Sequence, residues 1–164
     1  MVVFQSCDIV TRMPMASQFT VITAQSHDSS DENTGFHIQN CSIVTTNDFY
    51  SNSVSVKSYL GLGRPGGAYS RTVYLESYIG NFIDPAGWMQ LSIDGDDDDQ
   101  SLDTLYFGEY DNHGPGSSTD YRVTWPGYHV MDFFDARNFT VEEFITGADW
   151  LGFTPFPVDY AVKT

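Results

Sequence analysis

Basic residues are scarce in this chain: 7 Lys and Arg stand against 22 Asp and Glu in 164 residues, a formal net charge of −15 with the histidines neutral. A phosphate backbone must be neutralised by Lys and Arg, so nucleic acid is excluded as a partner, and an anionic membrane surface with it. Cysteine is scarcer still. Cys7 and Cys41 are too few for a disulfide scaffold and lack CxxC spacing, which argues against a zinc site built on thiolates. Their pattern leaves open one disulfide or two buried thiols. No apolar run approaches the roughly 18 residues that read as a membrane-spanning helix. The opening MVVFQSCDIVTRMPM has neither a basic leader nor a signal-length apolar stretch, so no secretory signal is expected in this chain. Low charge density, 18% against 41% hydrophobic and 15% aromatic residues, excludes disorder.

What is present reads as β-structure. Runs rich in β-branched and aromatic residues, bounded by Gly, Pro, Asn and Ser, predict strands over Val2 to Val10, Phe19 to Gln25, Gly35 to Val44, Arg71 to Phe82, Thr104 to Tyr110 and Tyr121 to Trp125. One helix start stands out, at Thr140, where the hydroxyl is placed to cap and Glu143 falls three residues on; Gly147 offers the stop. The length is that of a single domain.

An internal echo decides between a β-sandwich and a β-solenoid. FQSCDIV at Phe4 to Val10 returns as IQNCSIV at Ile38 to Val44, and a looser LESYI begins at Leu75. Similar words at one offset are what stacked coils produce, so a parallel β-helix is expected, with coils of about 20 to 30 residues and four or five of them. The first strand begins almost at residue 1 with no visible cap, and an open β edge recruits other edges.

Other candidate sites are weaker. The acidic stretch Ile93 to Asp103, IDGDDDDQSLD, fails as an EF-hand: counted from Asp94, Asp99 occupies the turn-glycine position and Leu105 that of the bidentate Glu. It reads as a solvated loop. Removing its six aspartates (94, 96, 97, 98, 99 and 103) changes −15 to −9, so acidity is spread over the whole chain. His27, His37, His113 and His129 stand apart with no carboxylate at ligand spacing, and no metal site is expected. Sequons occur at Asn40 and Asn138. Asn40 falls within a repeated strand, where stacking on the neighbouring coil is expected; Asn138, just ahead of the helix cap, is the better acceptor.

Longer words carry a resemblance. YLGLGRPGGAYSRTVYLESYIGNFIDPAGW, LDTLYFGEYDNHGPGSSTDYRVTWPGYHV and FTVEEFITGADWL, with VVFQSC, FTVITAQ and NTGFHIQNC before them, resemble in order and wording the C-terminal half of the catalytic domain of plant pectin methylesterases (pectinesterases). The resemblance covers nearly the whole chain. It implies a right-handed parallel β-helix of the pectin-lyase-like kind, here one partial domain over 1–164, truncated at its N-terminal side and ending in a short helix. It also implies hydrolysis of the methyl esters of pectin (homogalacturonan) in the plant cell wall by a secreted enzyme, without metal or cofactor.

In that family one Asp attacks the ester carbonyl, a second acts as acid and then base, glutamines hold the oxyanion, and an Arg keeps the nucleophile ionised. The family aspartates lie in words like QDTL and DFIFG, and neither word occurs here. LDTL at Leu102 to Leu105 belongs to a later family word, so Asp103 is not the nucleophile. Arg64 matches the family arginine, whereas two family tryptophans are replaced by Gly66 and Leu91, and a two-residue insertion (YLGLGRP for YLGRP) precedes the arginine. The resemblance further implies a disulfide between Cys7 and Cys41 and packing roles for Trp88, Trp125 and Trp150. His27 replaces a residue of the family's AQGR word, and His129 matches a family word without a proton-transfer role. The chain is therefore expected to be inactive alone, the alternatives being a non-catalytic pectin binder or a structural remnant. Its charge favours methylated over demethylated pectin. The open first coil invites self-association or pairing with an N-terminal half.

Overall fold

The computed structural model of the chain describes residues 1–52, 56–63, 67–90 and 101–163. The first coil contributes β1 (Val2–Gln5), β2 (Asp8–Thr11) and β3 (Thr20–Thr23); the second β4 (Phe36–Gln39), β5 (Ser42–Thr45), α1 (Asn47–Asn52) and β6 (Ser58–Gly63). The third holds β7 (Arg71–Leu75), β8 (Tyr78–Ile79) and β9 (Trp88–Gln90), after which come α2 (Ser101–Thr104), β10 (Tyr106–Tyr110) and β11 (Tyr128–Val130). The sheets run β1-β4-β7-β10-β11, β2-β5-β8 and β3-β6-β9, with every strand pairing parallel. This is the expected parallel β-helix. Its coils are longer than expected: Val2 lies opposite Phe36, Phe36 opposite Thr72 and Arg71 opposite Tyr106, steps of 34, 36 and 35 residues; the last, Phe107 to Tyr128, is 21. The long excursions between strands supply the difference.

The echo is the first of these steps, since Phe4 pairs with Ile38 and Ile9 with Ile43. Each of the three longest expected runs is nevertheless two strands in different sheets. The breaks fall at Ser6 (φ 53°), Asn40 (φ 51°) and Glu76 (φ 53°), and Asp111 (φ 45°) continues the column on the fourth coil. Left-handed backbone costs about 1–2 kcal/mol per non-Gly residue. A ladder offsets it. The backbone N–H of Cys7 donates to Cys41 Sγ (3.4 Å), that of Cys41 to Ser77 Oγ (3.1 Å) and that of Ser77 to Asn112 Oδ1 (2.9 Å). Asn40 thus sits in a turn, not within a strand; its stacking is as expected, with Nδ2 donating to Ser6 Oγ at 3.1 Å.

Side chains alternate along the five-stranded sheet. Ile38, Tyr74 and Phe107 enter the bore, where they join Ile43, Phe49, Leu60, Ile79 and Trp88 in one apolar core. Val73, Leu75 and the outward face pack instead on Met131, Phe139, Phe144 and Val162 of the C-terminal segment. That segment contains α3 (Phe133–Ala136) and α4 (Val141–Ile145). Thr140 caps α4 as expected, its hydroxyl accepting from the N–H of Glu143 at 3.3 Å. The stop differs. Thr146, not Gly147, takes the left-handed conformation (φ 48°), while a Cβ on Gly147 would lie 2.4 Å from Val141 Cγ1.

One expected strand is corrected, and other strands are additions. Tyr121 to Trp125 forms no strand: Arg122 donates its N–H to Thr119 O and its side chain enters the bore, and Pro126 offers no N–H to a ladder. β11 forms directly after it. β6 and β9 went unpredicted because Gly61 and Gly63 dilute the first and Pro85 to Gly87 adjoin the second. Helices α1, α2 and α3 are also additions; α3 is capped by Asp132, whose carboxylate accepts from the N–H of Asp135 at 2.9 Å.

Candidate functional site

β6 and β9 are neighbours in register, Gly61 opposite Trp88 and Gly63 opposite Gln90. The chain therefore leaves both strands side by side, and the next residues in sequence are Arg64 and Leu91. Arg64, Gly66 and Leu91 lie outside the described residues, as do Asp94 to Asp99 of the acidic stretch. Asp103 is described, exposed on α2. β3 flanks β6, with Thr23 opposite Gly61. Gly61 is required by close approach: a Cβ there would stand 2.5 Å from Cζ3 of the Trp88 indole.

Just beyond β3 a polar cluster joins the loop between the first and second coils to the start of the third. Gln25 Oε1 accepts the backbone N–H of Arg71 at 2.6 Å, and its Nε2 donates to Thr34 Oγ1 at 3.0 Å. Nδ1 of His27 lies 2.9 Å from Thr34 Oγ1 and 3.1 Å from Gln25 Nε2, so it acts as an acceptor in a neutral ring. Burial first, then the Arg71 guanidinium, hold His27 below the ordinary histidine value. Tyr69 stacks on the imidazole (6.2 Å, 16°), and its N–H donates to the His27 carbonyl. The sequence shows His27 only as a departure from the family's AQGR word, with no role. Its role is to bind the loop after β3 to the residues following position 66.

A second buried network was not foreseen. Glu109 projects into the bore, where its Oε1 accepts Arg122 Nε at 2.8 Å, Trp88 Nε1 at 3.0 Å and Tyr128 Oη at 3.2 Å, while Oε2 accepts Arg122 Nη2 at 3.1 Å. Arg122 also donates to the carbonyls of Pro85 (3.0 Å) and Gly116 (2.8 Å). Arg122 lies flat against Gly87 (φ 69°), whose absent Cβ would meet its Cδ at 2.4 Å. Burial and the Glu109 charge push the Tyr128 hydroxyl up. No pattern of period two marks a Glu as inward-facing. The signal available was the apolar-flanked YFGEY with an Arg in the next segment.

The remaining expected residues fall as follows. Cys7 is exposed and Cys41 buried, both with free thiols, and burial raises the Cys41 thiol. Asn138 is exposed, with Nδ2 donating to Phe134 O at 3.2 Å. Trp88 is core, stacked on Phe107 at 4.3 Å, and Trp125 packs against that core. Trp150 is half exposed rather than packed; its indole N–H caps the Ile145 carbonyl at 3.0 Å. His113 sits edge-on to Tyr78 and His129 stacks on Tyr106. Among the described residues no group of three or more His, Cys, Asp and Glu could hold a metal ion, and no helix is long and apolar enough to cross a membrane.

The pectinesterase family model matches residues 1–148. The chain is 55% identical over 161 residues to the probable pectinesterase/pectinesterase inhibitor 12 of Arabidopsis thaliana, covering 98% of this chain and 28% of that protein. It is 49% identical over 160 residues to a pectinesterase/pectinesterase inhibitor of Ficus pumila var. awkeotsang, with shares of 97% and 28%. Among solved structures, pectin methylesterase from carrot superposes with a TM-score of 0.88 at 42% identity, over 98% of this chain and 48% of that one. The pectin methylesterase from Aspergillus niger gives 0.63 at 26% identity, over 93% and 42%. The chain thus spans 28% of the first of these plant relatives and about half of the carrot enzyme. Family match, sequence identity and structural superposition agree: this chain belongs to the pectinesterase family.

Proposed function

We propose that this chain works in plant cell-wall modification as a pectinesterase-type β-helix that engages methyl-esterified homogalacturonan and, by itself, does not hydrolyse it. The observation that carries the reading is the pairing of Gly63 with Gln90, which brings the strands leading to Arg64 and Leu91 to one end of one sheet. Arg64 stands at the position of the family arginine that holds the nucleophile ionised, and has no such nucleophile to act on within these residues. The words holding the family's two aspartates and its oxyanion glutamines are absent from these 164 residues. Loss of a nucleophile alone costs about 10⁶ in turnover, and no arginine offsets that. Methanol release from highly esterified pectin should be the same for the chain and for Arg64→Ala. Turnover above that variant would overturn the proposal. Retained binding to esterified pectin, weakened for the demethylated polymer at low salt, separates a binder from a structural remnant.

Partners and processing follow from the same reading. Among the described residues the strand of the first coil ends each sheet, and Val2, Phe4 and Val10 on these strands are exposed. Such an edge supports self-association or pairing with an N-terminal half. Sedimentation should show concentration-dependent association that Val10→Lys reduces; a monomer at all concentrations, with no capture of an N-terminal half, would remove this part. In a secretory setting Cys7 and Cys41 would pair, and Asn138 would accept a glycan in preference to Asn40.

A further inference from the structure

The outer face of the β2-β5-β8 sheet carries a groove of about 200 Å³, on a different sheet from β3, β6 and β9. Its walls are aromatic. α1 turns Phe49 inward onto Phe82 (5.6 Å between rings) and so leaves Tyr50 outside, 63% exposed. Opposite, Tyr78 is fixed edge-on against His113 (5.7 Å, 70°) and against Gly114, where a Cβ would lie 2.8 Å from its ring. Gly80 keeps the floor low, since a Cβ there would meet the Ile43 carbonyl at 2.9 Å. Asn47 and Asn81 line the rim, both exposed; among the described residues neither side-chain amide has a hydrogen-bond partner.

We propose that this groove is a second carbohydrate subsite that takes one uncharged, methyl-esterified galacturonosyl unit of a pectin chain. The proposal rests on the pectin reading above and names a separate place for part of the polymer. None of the lining residues is charged, in a chain of net charge −15. Asp48, next to Asn47, has its carboxyl held below the ordinary carboxylate value by the neighbouring Thr46 side chain. A free galacturonate carboxylate would be repelled there, and its methyl ester would not. An aromatic ring offers an apolar face to the C–H side of a sugar, while an amide supplies a donor and an acceptor that suit neighbouring hydroxyls. The groove is smaller than the roughly 300–1,000 Å³ of sites that enclose a whole drug-sized ligand. That suits a single ring held against a surface while the polymer continues on either side.

Amide shifts in two-dimensional NMR, followed while fully esterified hexagalacturonate is added to the full chain, test this directly. The side-chain NH₂ signals of Asn47 and Asn81 should move and saturate, moving far less with the de-esterified hexamer. Tyr50→Ala should weaken the fitted affinity about threefold to tenfold, the range of one aromatic contact. Asn81→Asp, which keeps the shape and adds a negative charge, should weaken the de-esterified hexamer further and so widen the preference for the ester, without unfolding the chain; an unchanged preference would overturn the assignment of this groove. Shifts confined to the Gln25 and His27 region would keep the pectin reading and overturn the second subsite. No shift anywhere would overturn both. Equal shifts with cellohexaose would overturn the assignment to a galacturonosyl ester.

Discussion

Glu109 accepts the indole N–H of Trp88 at 3.0 Å inside the bore, and the same oxygen holds Arg122 Nε at 2.8 Å. One carboxylate thereby ties the strand that leads to position 91 to the segment that closes the last coil. Both charged side chains are about 2% exposed, so the pair is desolvated and its value lies in mutual satisfaction.

Breaking that pair from one side should be severe. Glu109→Leu or Arg122→Met leaves a buried charge without its partner and should cost about 3–5 kcal/mol in denaturant unfolding. The double variant should lose less than the sum of the two singles, because neither charge is then stranded. Additive losses would mean that the two groups act independently.

His37 links stability to pH. It is fully buried between Val3 and Val73 on the sheet, with Phe144 edge-on at 6.0 Å, and among the described residues neither ring nitrogen has a hydrogen-bond partner. Burial pushes its pKa down to about 3. Between that value and the ordinary 6.5 the unfolded chain binds a proton that the folded chain refuses. Stability should therefore fall as pH drops below about 6.5, by up to about 1.4 kcal/mol per pH unit from this group. Unfolding curves at neutral and acidic pH should show a smaller loss for His37→Leu. Equal losses would remove His37 as the cause.

A column of side chains ties down the C-terminal strap. Gln5 Nε2 donates to Gln39 Oε1 (2.9 Å) and to Asp159 O (2.7 Å), Gln39 Nε2 to Glu76 Oε2 (3.0 Å) and Ala161 O (2.9 Å), and the N–H of Lys163 donates to Glu76 Oε1. Alternate strap residues 159, 161 and 163 thus meet successive coils. Gln39→Leu strands buried acceptors and should cost about 1–3 kcal/mol. Faster hydrogen exchange at the amides of Asp159 and Lys163 should accompany it, and unchanged exchange there would show that the apolar cover of Phe139, Phe144 and Val162 suffices.

The thiols of Cys7 and Cys41 should differ in reactivity. Cys7 is exposed and should alkylate readily; Cys41, buried with its thiol raised, should not. If oxidation joins them, a link across 34 residues should stabilise the chain by about 3–4 kcal/mol by restricting the unfolded state. A mass loss of two hydrogens with the thermal midpoint unchanged would contradict that account.

The repeated words FQSCDIV and IQNCSIV determined the solenoid by themselves, because a parallel ladder at a 34-residue step must place like residues on like. Thr140 and Glu143 likewise announced α4, whose cap is local chemistry. Family words are long enough to mark position 64, but they did not mark β6 and β9 as strands. What only the tertiary structure decided were the facts that depend on neighbouring coils. Ser6, Asn40 and Glu76 break apparently continuous strands because their left-handed turns are supported by hydrogen bonds from the next coil. Glu109 points inward because Arg122, Trp88 and Tyr128 converge on it. His27 became a loop anchor through Thr34 and Tyr69, contacts that its own segment does not encode. Period and capping are read from residues a few places apart; the satisfaction of a buried polar group is settled by partners that folding alone brings within reach.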